Sequence, residues 1–285
     1  MFKERAAGPE IMDTAGLDYE TTAEVYGEIR KVNRFLGGRR AVLKHLRQFL
    51  SPGVILKEPK ATEGARSFAS LRMTTSVRIL DVASGAGDIP AAIVRWARRK
   101  KIPVRVTVFD LNPHALCYAR KNFGDYPEID FVRGDSFKLP FRDGSFDYVI
   151  SSLFFHHLKE DEIIAALQSF DRIARRGIVV NDLVRSPAAY AGFLLFSSFS
   201  RSEIFRRDGA LSVRRGFRRP EIEAMIRRSG LGYLKYYRHF AFRFAVAGEK
   251  TTGMSFPRKR ESSSGSPIKT FGDDKERRLW NKVRS

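Results

Sequence analysis

The sequence predicts an α/β fold, a mostly parallel sheet with helices on both faces, and three observations predict it. Short strand-like runs at 77–82, 104–109, 146–151 and 177–181, with another that closes at 131–136, alternate with segments whose apolar residues recur at helical spacing. The stretches between them are short, the pattern of parallel strands joined by crossover helices. A hydrophobic content of 43%, with 23 phenylalanines in 285 residues, is ample for the core of one large domain or two small ones.

Taken in order, residues 1–56 read as an N-terminal helical segment. Val25, Ile29 and Val32, then Val42, Leu43, Leu46 and Phe49, mark one or two helices over 21–49, broken at Gly37-Gly38. Residues 57–76 have neither helical nor strand period and are expected to be an unstructured surface insertion. Residues 77–82 form a first strand, and a helix carrying Ile89, Ala91, Ala92, Ile93 and Trp96 follows. A second strand at 104–109 leads to Asn112-Pro113, a helix start. A third strand closes at 131–136, and a fourth, at 146–151, is entered through the turn Asp143-Gly144-Ser145. A helix over 161–173 and a strand at 177–181 come next. The apolar, aromatic stretch 186–219 is longer than an ordinary connection and reads as a helical lid or a helix pair covering the sheet edge. A helix over 221–228, entered at Pro220, and two strands at 234–240 and 242–247 close the domain. Residues 251–285 are polar, rich in Ser, Gly and Pro, and are expected to be a disordered basic tail.

The most informative stretch is 77–96. Ala83-Ser84-Gly85-Ala86-Gly87 has almost no side-chain bulk, so the chain can turn sharply and admit a ligand to its backbone. A dinucleotide site wants a third glycine where Pro90 stands, and its pyrophosphate would be repelled by Asp81 and Asp88. Two carboxylates suit a ligand bearing an ammonium and a sulfonium, as S-adenosylmethionine does. A glycine turn without any ligand is the alternative, and the following segments weigh against it. Asp110 lies 23 residues after Gly87, near the spacing at which an acidic residue meets ribose hydroxyls. Asn112 serves as helix cap, which leaves Asp110 free. Asp135 ends the third strand, placed to accept from an adenine amino group.

The runs LDVASGAGD, FDLNP, GDSFKLPF and DGSFDYVISSLFFHHL together resemble the class I S-adenosylmethionine-dependent methyltransferases, most closely the small-molecule and quinone-biosynthesis type. The resemblance covers about residues 77–250. It implies a Rossmann-like, doubly wound sheet of seven strands, the last antiparallel, with the lid at 186–219. It also implies that Asp81, Gly85 and Gly87 line the methionine end, Asp110 and Leu111 the ribose, and Asp135 and Ser136 the adenine. Ala83 stands for the first glycine of the usual triplet, and Ser152, at the tip of the fourth strand, is counted with the cofactor set. Arg175-Arg176-Gly177 departs from the Pro-Gly-Gly common before strand five.

Candidates for the chemistry follow from position. His156 and His157 lie just past the fourth strand, near the methyl to be transferred, and Asp182 ends the fifth. These three are the candidate bases, with Tyr190 behind them. No Asn/Asp-Pro-Pro-aromatic run is present, against methylation of DNA amino groups or protein glutamine. An apolar lid implies a small apolar or aromatic acceptor, O-methylation first and C-methylation of a quinone precursor next. An RNA methyltransferase and a cofactor-binding module without turnover are the alternatives.

The net charge of +20 invites a nucleic-acid reading, but the segment 250–285 alone carries +6 and 57–78 another +3. Elsewhere the basic residues come as pairs, at 98–99, 206–207, 214–215, 218–219 and 227–228, usually the solvated faces of helices. A surface for anionic lipid or an acidic carrier is the next reading, with RNA after it. The longest apolar stretch, 188–196, is too short to span a bilayer. The start of the chain lacks a secretory pattern, and the single Cys117 reads as a buried small residue, so a reducing cytoplasm is expected. Five histidines and one cysteine show no metal-ligand spacing.

Overall fold

The strands form at or near the expected runs, except that β3 starts earlier and stops at Arg133, leaving Asp135 in the turn beyond it: β1 (Val77–Val82), β2 (Val104–Asp110), β3 (Ile129–Arg133), β4 (Phe146–Ser152), β5 (Ala174–Leu183), β6 (Lys235–His239) and β7 (Arg243–Glu249). A computed structural model describes residues 2–13, 16–50 and 76–250. The insertion expected at 57–76, Ser76 apart, and the tail expected at 251–285 lie outside the described residues. The seven strands make one sheet in the order β3-β2-β1-β4-β5-β7-β6. β1 to β5 are mutually parallel, and β7 runs antiparallel between β5 and β6. The order reverses between β1 and β4, so a crevice opens beyond the carboxyl ends of the strands at that point.

Eight helices cover the sheet among the described residues: α1 (Tyr19–Phe35), α2 (Gly38–Phe49), α3 (Asp88–Lys100), α4 (Pro113–Phe123), α5 (Glu160–Ile173), α6 (Pro187–Ser197), α7 (Glu203–Arg215) and α8 (Arg219–Ser229). Leu46, Ile93, Trp96 and Leu116 pack on one face of the strands, with Val106 and Ile150. Leu167, Phe170, Ile222 and Met225 pack on the other, with Leu80, Val149 and Phe244. The doubly wound arrangement expected of the sequence is the one observed. Gly37 separates α1 from α2 at φ +82°, a left-handed conformation that glycine adopts without strain. Asn112 caps α4 by accepting from the N–H groups of His114 and Ala115 at 2.9 and 3.4 Å. Cys117 is buried on α4.

A third apolar cluster stands above the strand ends. Val25 and Val32 of α1 meet Phe193 of α6 and Phe205 and Val213 of α7. α6 and α7 occupy the stretch expected to be a lid. Their close approach rests on Gly209, where a Cβ would run into the Phe193 ring.

Within the N-terminal segment the expected helices are α1 and α2, while the residues before them are not helical. Residues 2–10 are an irregular strap, and Ile11–Asp13 is a single 3-10 turn. This stretch has no apolar periodicity, and its backbone finds partners outside itself. Ala6 N–H donates to the Arg214 carbonyl at 3.1 Å, and the Ile11 and Met12 N–H groups donate to Asp208 at 2.8 and 2.9 Å. The buried Arg185 guanidinium donates to the Phe2 and Lys3 carbonyls and pairs with Glu221.

Candidate functional site

A cavity of about 1410 Å³ occupies the crevice. Pockets for a single small ligand run to roughly 300–1,000 Å³, so this one has room for two. Asp81, Ala83, Gly85, Asp110, Leu111, Asp135, Ser136, Ser152, His156 and His157 all line it. Gly87 and Asp182 do not. At Gly87, φ is +69° and a Cβ would stand 2.9 Å from the Ala119 Cβ. Its smallness therefore lets the start of α3 sit close against α4.

At one end the turn after β1 carries positive φ at Ala83 (+53°) and Gly85 (+53°). Tyr26 of α1 lies over it, so near that a Cβ on Gly85 would be 3.1 Å from the ring. Asp81 is buried; Ser84 Oγ donates to its Oδ2 at 2.6 Å, while Oδ1 has no hydrogen-bond partner. Burial, then the neighbouring charges of Asp88 and Asp110, push the Asp81 carboxyl up to about 8. A cation at Oδ1 would relieve both conditions, which fits the ammonium of S-adenosylmethionine. Asp110 accepts from Gly85 N–H at 2.8 Å through one oxygen and from Asn112 N–H at 2.9 Å through the other, with the Leu111 N–H a further donor. An ionised carboxylate offers about four lone-pair sites, so capacity remains for a hydroxyl. Leu111 and Phe137 are exposed apolar side chains on the same rim, and Asp135 turns the chain there by accepting from Phe137 N–H at 2.9 Å.

Asp88 does not act as the second free carboxylate expected of it. Arg39 donates to it at 2.8 Å and Asn33 at 3.1 Å, both from the N-terminal helices. Its charge is balanced within the protein.

At the other end the short turn Phe155–His157 follows β4. His156 Nδ1 lies 2.7 Å from Asp182 Oδ1, and His156 N–H donates to Oδ2 at 3.2 Å. Asp182 is fully buried. Burial alone would raise its pKa, but His156 and the Leu183 N–H outweigh this and hold it below the usual carboxylate range. The geometry makes Asp182 the anchor of His156 rather than a separate base facing the cavity. His156 Nε2 is left 3.6 Å from Glu10 Oε1. His157 Nδ1 lies 3.0 Å from Asp13 Oδ2, and its Nε2 lies 3.9 Å from Glu10 Oε2. Burial would lower the His157 pKa, but Asp13 and Glu10 reverse the shift and raise it.

A cluster that the sequence spacing does not show is formed here: the two histidines and Glu10 bring possible ligand atoms within 4.8 Å of one another. Arg215 already provides a buried cation there, 3.9 Å from Glu10 and 3.5 Å from Asp13. Glu10, Asp13 and Arg215 carry no signal in the sequence, because the strap that brings the two carboxylates lies more than 140 residues before the histidines. Arg243, at the start of β7, was equally hidden. It is buried, lines the cavity, and both Nη atoms have no hydrogen-bond partner. Burial, opposed by Asp182 and Asp88, brings its pKa down to about 10.

Comparison with known proteins agrees with this architecture. Residues 79–177 match the family model described as a methyltransferase domain. Over 101 residues, 35% of this chain, the sequence is 40% identical to a demethylmenaquinone methyltransferase of Chlorobaculum tepidum, of which the match covers 37%. It is 36% identical over 124 residues, 42% of this chain, to the protein of the same name from Chlorobaculum parvum, covering 47% of it. The chain therefore spans less than half the length of these curated relatives. The fold is similar to that of human N-acetylserotonin methyltransferase solved with S-adenosylmethionine, at a TM-score of 0.55 and 18% identity over 82% of this chain and 57% of that one. The family-model match lies across the strand–turn–helix at Asp81, so the segment similar to known methyltransferase domains is the one that builds this end of the cavity.

Proposed function

We propose that this protein transfers a methyl group from S-adenosylmethionine to a small, largely apolar, aromatic acceptor, and does so at oxygen. The observation that carries the reading is His156, anchored from behind by Asp182, in the wall of a cavity that is also lined by Val25, Phe193, Phe205 and Val213 and by Asp81 and Asp110. The cofactor supplies a methyl group on a sulfonium, already strongly electrophilic. The residues of the chain have three tasks. Asp81, Asp110 and Asp135 would hold the cofactor, with Leu111 and Phe137 offering apolar surface on the same rim. The strap, α6 and α7 exclude water and hold the acceptor in line with the methyl. His156 takes the acceptor's proton at Nε2, its Nδ1–H being held by Asp182. A phenol with a pKa near 10 is about 0.1% ionised at pH 7. A positioned base then contributes roughly 10²–10⁴ in rate.

The test is turnover of phenols and quinols with labelled methyl donor. His156→Ala should lower turnover at least about 100-fold while affinity for S-adenosylhomocysteine stays unchanged. An unaltered rate removes His156 as the base. A second reading, carbon methylation of a quinone precursor, is favoured by the similarity to the two Chlorobaculum demethylmenaquinone methyltransferases. Product analysis separates the two, since only an ether product retains no free hydroxyl at the methylated position.

A further inference from the structure

Arg243 is the group in the cavity wall whose environment is least complete. Its side chain is 1% exposed, and Nη1 and Nη2 both lack a hydrogen-bond partner. A buried guanidinium with two idle donors is costly, because it has left water without replacing the bonds it made there. The carboxylates nearest in its field do not satisfy it. Asp182 is engaged by His156 and the Leu183 N–H, and Asp88 by Arg39 and Asn33.

We propose that Arg243 is an anion-binding residue of the cavity and that it takes a carboxylate through its two Nη groups. The planar fork of a guanidinium matches the two oxygens of a carboxylate in parallel hydrogen bonds. The topology delivers it to the right place. β7 runs backward relative to β5, with Arg243 opposite Leu183, so the start of β7 lies level with the carboxyl ends of the parallel strands. Two ligands can bring a carboxylate there. The methionine end of S-adenosylmethionine has one beside its ammonium, and both Asp81 and Arg243 lie within the field of Asp88. An acidic acceptor, such as a hydroxybenzoate, would bring one to the compartment beside His156. The first source rests on the cofactor reading above, and the second on the acceptor reading.

Calorimetry on the full chain and on Arg243→Met distinguishes them without measuring turnover. The probes are S-adenosylhomocysteine, 5′-methylthioadenosine (which lacks the amino-acid end), and salicylate against phenol added to the S-adenosylhomocysteine complex. If the cofactor supplies the carboxylate, Arg243→Met weakens S-adenosylhomocysteine at least 30-fold and leaves 5′-methylthioadenosine within twofold. If the acceptor supplies it, S-adenosylhomocysteine is unaffected, while salicylate binding is lost and phenol binding kept. Equal losses for all four probes, or none for any, would overturn the proposal and leave Arg243 a structural counter-charge. Thermal unfolding of the ligand-free variant guards against misfolding, and Arg243→Lys, which keeps the charge without the fork, should recover only part of the lost affinity. Should no nucleoside bind even the unaltered protein, the cofactor reading itself fails, an outcome distinct from any effect of Arg243.

Discussion

Asp81 couples proton binding to ligand binding. In the folded protein its carboxyl is held up to about 8, above its ordinary range, so the free protein carries a proton there at neutral pH that the unfolded chain does not. The stability this adds is fully present below the ordinary carboxylate pKa and is lost as pH rises through about 8. An ammonium at Oδ1 favours the ionised form, so binding expels the proton. S-adenosylhomocysteine titrated at pH 7 in buffers of different ionisation enthalpy should release close to one proton, and Asp81→Asn should release none. Asp110→Ala should weaken the same ligand tenfold or more, since a carboxylate–hydroxyl bond contributes about 1.5–3 kcal/mol; calorimetry reads this directly. Both aspartates were legible in the sequence because each belongs to a short strand-and-turn pattern whose geometry is local. Glu10, Asp13 and Arg243 were not, because each acts on groups delivered by distant segments.

Among the elements, the lid depends on one missing side chain. Gly209→Ala must push the Phe193 ring off α7, with a cost of about 1–3 kcal/mol for overpacking. The expected result is a lowered melting temperature and a raised acceptor KM, with S-adenosylhomocysteine affinity little changed, because Phe193 stands in the apolar compartment. An equal loss of both affinities would show that α6 supports the nucleoside end as well. The sequence placed every strand and the helix pair of 186–219, because apolar period is a local property. It left β5 too short: the observed strand, Ala174–Leu183, gains residues at both ends. The early part, Ala174-Arg175-Arg176, is not an apolar run, and pairing of Ala174 with Phe146 of β4 draws it into the sheet. It also read residues 2–13 as part of a helical segment, where hydrogen bonds to α7 win instead.

For the molecule as a whole, charge is the feature most easily misread. In each of the five arginine pairs one member is held by a carboxylate: Arg98 by Glu128, Arg207 by Glu203, Arg215 by Glu10 and Asp13, Arg219 by Glu223, and Arg228 by Glu160 and Asp161. Such pairing leaves less basic surface for phosphate than +20 suggests. A chain ending at residue 250 is expected to keep its S-adenosylhomocysteine affinity within about twofold, because the cavity-lining residues run from Glu10 to Arg243. It should also fail to retain tRNA at 0.15 M salt in a filter assay, roughly the ionic strength of a cell; firm retention there would reopen the RNA reading. No helix among the described residues is long and apolar enough to cross a membrane.

The strap has one more effect, on timing during synthesis. Arg5 bonds the carbonyl of Arg215, 210 positions later in the chain. A nascent polypeptide that has emerged as far as α5 already holds the turns at Asp81 and Asp110 and both imidazoles, but not the α7 residues that pack beside them. The strap finds its partners only when α7 has been made, so Arg5 and Ile11 must wait through the synthesis of the whole parallel sheet.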